Sequence, residues 1–290
     1  MWPSVREAFG QFKVGTEGKF KYMYCDVNGY VTTAVGNLLK NASEAKKLNW
    51  HISGAATTAS PDQIEEAFNK VQEHYQELKR KGERLTDASK YRSTTNLRLT
   101  DAELMRIVFE KLRKFDAGWK ISLGSAWETF PADAQLAILG ISWKMGVPLK
   151  VKQDKRALYN AIIKRDFVTA AKESHFSGAS RRRKWKNQAL EFMFINAATV
   201  DSVQKTLKRL NQPDQNINAL VQGDKFALAF FSAGLAQSAV TGGAIGVLAG
   251  WLAGLVPAKV IWPRKISLSD KGSLQVEIMP LHPPGEEREF

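Results

Sequence analysis

Residues 17–37 read EGKFKYMYCDVNGYVTTAVGN: two runs rich in aromatic and β-branched residues on either side of Asn28-Gly29. Asn-Gly between such runs is the strongest short-range hairpin signal, because glycine accepts the positive φ of a tight turn at no steric cost. A hairpin over residues 19–36 is therefore expected. Just before it, residues 4–14 suit a helix. Ser4 can cap it, Glu7 stands three residues on as in a capping box, and Val5, Ala8, Phe9 and Phe12 share one face. The pattern places Glu17 where a helix hands over to a strand.

Downstream the chain reads as helical. Ser60, Pro61 and Gln63 form a cap, a first-turn proline and a capping-box partner; Ile64, Phe68, Val71, Tyr75 and Leu78 then make one stripe, and Gly82 ends it. Thr100 with Glu103 opens a third helix, striped by Leu104, Ile107, Val108 and Leu112. Residues 131–145 are apolar nearly all round, as in a buried central helix. Further helices are expected near 154–164, 166–174, 181–196 and 200–211. The fold class is α+β: a mostly helical domain with a small N-terminal β-hairpin sheet, then a C-terminal apolar helical segment. In domains, the reading is 1–211 as the main domain, 212–225 as a polar linker, 226–257 as an apolar segment and 258–290 as a polar tail with a strand around 274–279.

The balance of 44% hydrophobic and 24% charged residues is that of a folded chain, and 10% aromatics can build a sizeable core. The net charge of +13 favours polyanionic partners: nucleic acid, an anionic membrane face or bacterial wall. A single cysteine, Cys25, excludes an intrachain disulfide and reads as a structural thiol. His51, His74, His175 and His282 do not fall at metal-ligand spacing, so neither metal nor cofactor is expected. The first residues lack the basic region and apolar core of a secretory signal.

Cleaving a glycosidic bond takes a carboxylic acid to protonate the leaving oxygen and a carboxylate to activate water or attack the anomeric carbon. Glu17, after the first helix, and Asp26, on the hairpin, can supply that pair, with Thr32 on the returning strand. Here the sequence resembles the phage-type lysozymes, endolysin muramidases of the lysozyme-like superfamily, which carry Glu-x8-Asp-x5-Thr across a helix end and a hairpin. Glu17, Asp26 and Thr32 match in type and spacing, as do Gly18, Tyr24, Gly29 and Gly36. Residues 130–146 look like the family's buried central helix, 166–174 like its short helix with Ala-Ala, and 181–197 like its basic Asn/Arg-rich helix. The likeness covers roughly residues 4–200.

The resemblance implies Glu17 as general acid, held protonated near neutral pH, Asp26 as holder of the water or stabiliser of sugar charge, and Thr32 as a positioner of that water. It favours inversion at the anomeric carbon. Two positions depart from the family. Ala34 stands where the family has glycine, and Asn37 where histidine is common. Residues 41–100 are also longer than in the smallest members.

From Phe226 to Val256 there is no charged residue, and Gly234, Ser238, Gly242, Gly246, Gly250 and Gly254 recur every fourth position. The length suffices to span a bilayer, and the small-residue ridge suits close helix approach and self-association. The alternative is a buried hairpin broken at 241–243. Residues 180–186, SRRRKWK, are a compact basic run. They read either as a contact for anionic polymer or as a solvated helix start.

The expectation is a muramidase cutting the β-1,4 bond between N-acetylmuramic acid and N-acetylglucosamine. It would act at the cell wall or periplasm as a phage lysis or entry enzyme or an antibacterial effector. Peptidoglycan is the expected partner, membrane association through residues 226–256 is expected too, and no specific nucleic acid is. The rival is a membrane-inserting pore or anchor whose lysozyme-like part only binds wall.

Overall fold

The computed structural model describes residues 1–55, 57–85, 87–178, 181–209, 264–268 and 274–278. The expected linker and the apolar segment 226–256 lie outside them. Among the described residues no helix is long and apolar enough to cross a membrane.

The chain is mostly helical with small antiparallel sheets. It divides into two compact units, residues 10–111 and residues 1–9 with 112–290. Helices α1 (Pro3–Glu17) and α4 (Asp101–Leu123) carry the chain from one to the other.

In the 10–111 unit, β1 (Phe20–Cys25), β2 (Val31–Ala34) and β3 (Asn37–Leu38) make a three-stranded antiparallel sheet. After the short α2 (Ala42–Ala45), β4 (Trp50–Ile52) pairs with β5 (Leu97–Leu99). Between those two strands runs α3 (Pro61–Arg80), with the full Ser60–Gln63 capping box and Pro61 in its first turn, as its sequence predicts. The stripe Ile64, Phe68, Val71, Tyr75 and Leu78 is buried together with Met23, Cys25, Val31, Leu97 and Leu99. Thr100 caps α4 by accepting the Glu103 N–H at 3.1 Å. Glu103 does not close the box; it turns instead to the Asn49 N–H and to Arg106.

In the other unit α5 (Ala132–Met145) is buried along residues 132–143. Aromatic rings wrap this core in sequence: Trp119 on Trp127, Trp127 on Phe130, Phe130 on Phe167, and Phe167 on Phe194, with centroids 5.4–6.4 Å apart. The indole N–H groups are satisfied, Trp119 by the Ser142 hydroxyl at 2.8 Å and Trp127 by the Asp116 carboxylate at 2.7 Å. The helix expected near 154–164 is α7 (Arg156–Ile163), and ahead of it stands a short helix that was not expected, α6 (Pro148–Asp154). Pro148 opens α6 rather than breaking a helix, since a first-turn proline lacks only an N–H that would have no partner there. After α8 (Phe167–Glu173) comes α9 (Arg181–Arg209), one helix where two were expected. Residues 197–199 hold no glycine or proline, and the Thr199 hydroxyl folds back to the Ile195 carbonyl at 3.0 Å within the helix. The tail holds two strands, β6 (Arg264–Leu268) and β7 (Leu274–Ile278), paired antiparallel; only the second was expected.

Ala34 ends β2 with φ 55° and is fully buried. Alanine thus adopts a left-handed conformation that glycine would take at less steric cost. Valine at this position would favour a strand by propensity but not this backbone, so Ala34→Val is expected to cost about 2 kcal/mol. Ala34→Gly should stay within about 1 kcal/mol of the parent, because relief of φ is offset by the lost buried methyl and by glycine's entropy. Urea unfolding of both variants checks this; an Ala34→Val chain as stable as the parent would contradict it.

Candidate active site

Glu17, Asp26 and Thr32 all fall in the 10–111 unit. Glu17 is the last residue of α1 and half-buried; Gly18 follows at φ 85°, the left-handed residue that stops a helix and turns the chain into β1. Lys19 and Lys21 reach the two oxygens of Asp101 at the start of α4, so β1 is tied down directly after the turn. Those two ammonium groups hold the Asp101 carboxyl below the ordinary carboxylate range.

The hairpin is not regular. Phe20 pairs with Ala34, but Tyr24 pairs with Thr32 and Cys25 with Val31, so three residues of β1 oppose Thr33 alone. The Thr33 hydroxyl fills the gap by donating to the Tyr22 carbonyl at 3.1 Å. Ring centroids of Phe20 and Tyr24 are 4.9 Å apart, although i and i+4 along a flat strand stand about 13 Å apart. The bulge shortens and bends β1. Its Phe20 and Cys25 rows are then set by the matching span of β2, about 10 Å, instead of about 17 Å for an unbroken strand.

The turn differs from a two-residue Asn-Gly loop. Asp26 N–H donates to the Tyr30 carbonyl at 2.9 Å, and Gly29 N–H donates to the Asp26 carbonyl at 3.0 Å. The loop is therefore Val27-Asn28-Gly29, with the positive φ at Gly29 only. The Asp26 side chain decides this. Its Oδ1 accepts from the Asn28 N–H at 2.9 Å and from the Tyr30 N–H at 3.0 Å. No hydrogen bond among the described residues reaches Oδ2.

Thr32 is 6% exposed, and its hydroxyl donates to the Tyr30 carbonyl at 3.1 Å. That same carbonyl accepts the Asp26 N–H. The Tyr30 backbone therefore holds both side chains, Asp26 through its N–H and Thr32 through its C=O. Asp26 lies opposite Tyr30, and Thr32 is two residues further along β2, so the two share a face as diagonal neighbours. With its proton committed, the Thr32 oxygen presents only lone pairs. A water donating one proton to Thr32 Oγ1 and the other to Asp26 Oδ2 would aim its own lone pair outward.

Two tyrosines complete the setting. Tyr75 of α3 donates to the Val27 carbonyl at 3.3 Å, propping the turn, and its ring lies where a Cβ on Gly29 would fall. Tyr91 is buried, with its hydroxyl unpaired among the described residues, edge-on to His74 at 5.2 Å. Sequence reading places Tyr75 in the α3 stripe but misses its hydroxyl contact. Tyr30 acts through its main chain, which no side-chain pattern signals.

Cys25 is buried, with Sγ 3.7 Å from the Val71 carbonyl. Burial first, then the Asp26 charge, pushes its thiol from 9.0 up to about 12. The fold favours the neutral thiol, so this contribution to stability is whole below the unfolded thiol's pKa and is lost as pH climbs through about 12. At pH 8 the native protein should resist iodoacetamide while the unfolded chain reacts; fast native labelling would contradict the burial.

Among the described residues no group of three or more His, Cys, Asp or Glu side chains is placed to hold a metal ion. No protein-family model matches the chain, and no curated protein or solved structure matches it either.

Proposed function

We propose that the chain is a glycoside hydrolase with a lysozyme-like fold. It would cut the β-1,4 bond between N-acetylmuramic acid and N-acetylglucosamine in peptidoglycan, at the cell wall, in phage lysis or entry or as an antibacterial effector. Glu17 donates a proton to the leaving oxygen. Asp26 takes a proton from the attacking water, and Thr32 fixes that water's orientation.

The observation that carries this reading is the Tyr30 main chain, which clamps Asp26 Oδ1 and spends the Thr32 proton. What is left is one carboxylate oxygen and one hydroxyl lone pair turned to the same face. A solvated turn needs the Asp26 clamp, but it does not need a buried threonine hydroxyl tied to the same carbonyl. The bulge in β1 supports the pairing with Glu17. An inverting enzyme would need the Glu17 and Asp26 carboxyls roughly 6.5–9.5 Å apart, with room for a water between them, and the bulge shortens the strand that separates the two residues.

Mass analysis of digested sacculi tests the reading. New reducing muramic ends are expected. Anhydro-muramic ends would mean a transglycosylase, and intact strands would mean no glycosidase at all.

A further inference from the structure

The hairpin uses the main chain of Tyr30 and leaves its ring to solvent. The register runs from Tyr24–Thr32 through Cys25–Val31 to Asp26–Tyr30, where the Asp26 N–H meets the Tyr30 carbonyl at 2.9 Å. Successive rows of an antiparallel pair face opposite sides. Cys25 and Val31 are buried on one side. Tyr24, Thr32, Asp26 and Tyr30 therefore stand on the other.

Exposure on that side is uneven. Tyr30 is 57% exposed, and Leu38, which pairs with Thr32 from β3, is 41% exposed. Thr32, next to both, is nearly closed off, so its larger neighbours cover it. The rings of β1 are spent on one another, Phe20 against Tyr22 at 5.8 Å and against Tyr24 at 4.9 Å. Among the described residues no ring or cation meets that of Tyr30. The backbone bonds at Tyr30 do not call for an aromatic, since any residue but proline supplies the same N–H and carbonyl. The ring is thus a feature of the site that the fold itself does not use.

We propose that the Tyr30 ring is the platform on which one pyranose of the glycan strand lies beside the scissile bond. The inference rests on the hydrolase reading above and adds to it a residue that binds the polymer. A pyranose presents C–H groups, apolar and weakly positive, on its faces. The face of a phenol ring is apolar and electron-rich, so the two match. Tyrosine offers this area at small entropy cost, having only two χ angles to fix. Because Asp26 and Thr32 stand on the same side of the hairpin, a sugar held there lies next to the water they orient.

Tyr30→Leu keeps an apolar cover over Thr32 and removes the ring. The substrate is peptide-free glycan of alternating N-acetylglucosamine and N-acetylmuramic acid. On it, Tyr30→Leu should raise KM roughly tenfold, with the loss absent from kcat. Tyr30→Phe should restore the parent KM. The contact is uncharged, so the ratio between parent and variant should be the same at low and high salt. Tyr30→Thr, a strand former without a ring, serves should the leucine chain fail a thermal melt. Calorimetry of the same strands on Glu17→Gln chains, with and without Tyr30→Leu, makes the result independent of turnover. Strands that the parent binds but does not cut end the hydrolase reading, and the tenfold difference in binding then decides the platform alone. With cleavage by the parent intact, unchanged affinity in a folded Tyr30→Leu chain overturns the platform only. So does a loss confined to kcat, or one that Tyr30→Phe does not restore.

Discussion

Glu17→Gln is expected to lower the rate of wall cleavage by roughly 100- to 10,000-fold while leaving the fold intact, the range over which a positioned general acid acts. Glutamine has the same shape and the same place at the end of α1, and Gly18 still ends the helix. What it lacks is a proton to give. The leaving sugar oxygen would then depart as an alkoxide, which is the costly part of breaking a glycosidic bond. Because the side chain keeps its size, substrate affinity should change much less than turnover. Turbidity loss of purified sacculi, with a thermal melt as the folding control, measures both. A variant that clears the wall at the parent rate removes Glu17 from the chemistry.

Asp26→Asn should produce a loss of similar size, again roughly 100- to 10,000-fold, with little change in stability. Here the structure makes the substitution unusually clean. The amide oxygen of asparagine can still accept the Asn28 and Tyr30 N–H groups, so the turn survives. The second position becomes an NH₂ that cannot take a proton from water. Thr32→Val should cost less, about tenfold, because it removes an oriented lone pair and not the base. The Tyr30 carbonyl keeps its bond from Asp26 in that variant. Should Asp26→Asn unfold the hairpin, the clamp has been misread; should it retain full activity, the base lies elsewhere.

Local signals in the sequence read correctly wherever one residue type has one physical use. Ser60, Pro61 and Gln63 mark the start of α3 because a cap, a first-turn proline and a box partner belong nowhere else in that order. The buried length of α5 follows from its lack of a polar face. The hairpin is equally plain, but its bulge is not. It depends on Thr33 reaching the Tyr22 carbonyl and on Phe20 meeting Tyr24, contacts that no period-two pattern encodes. The turn widens to three residues because the Asp26 carboxylate offers its own acceptor to the loop. The unbroken α9 and the helix opened by Pro148 escape a sequence reading for a common reason: breakers and gaps in a stripe carry meaning only with their position in the turn.

At the candidate site, residue types and spacing are legible, as is the departure at Ala34. Its left-handed backbone, which glycine would adopt at less steric cost, is not legible from the residue type. The part played by Tyr30 is invisible, since any residue's main chain could supply it. The expected membrane segment, residues 226–256, lies outside the described residues, and its role stays with the sequence argument.

The anomeric form of the first product tests the water-directing account most directly. With Asp26 and Thr32 holding water on the face opposite the leaving group, early proton spectra of digested glycan should show the α-anomer at the new reducing end, relaxing later to the equilibrium mixture. A β-anomer appearing first would mean that a carboxylate attacks the sugar itself, and the arrangement built around Tyr30 would then have been assigned the wrong task.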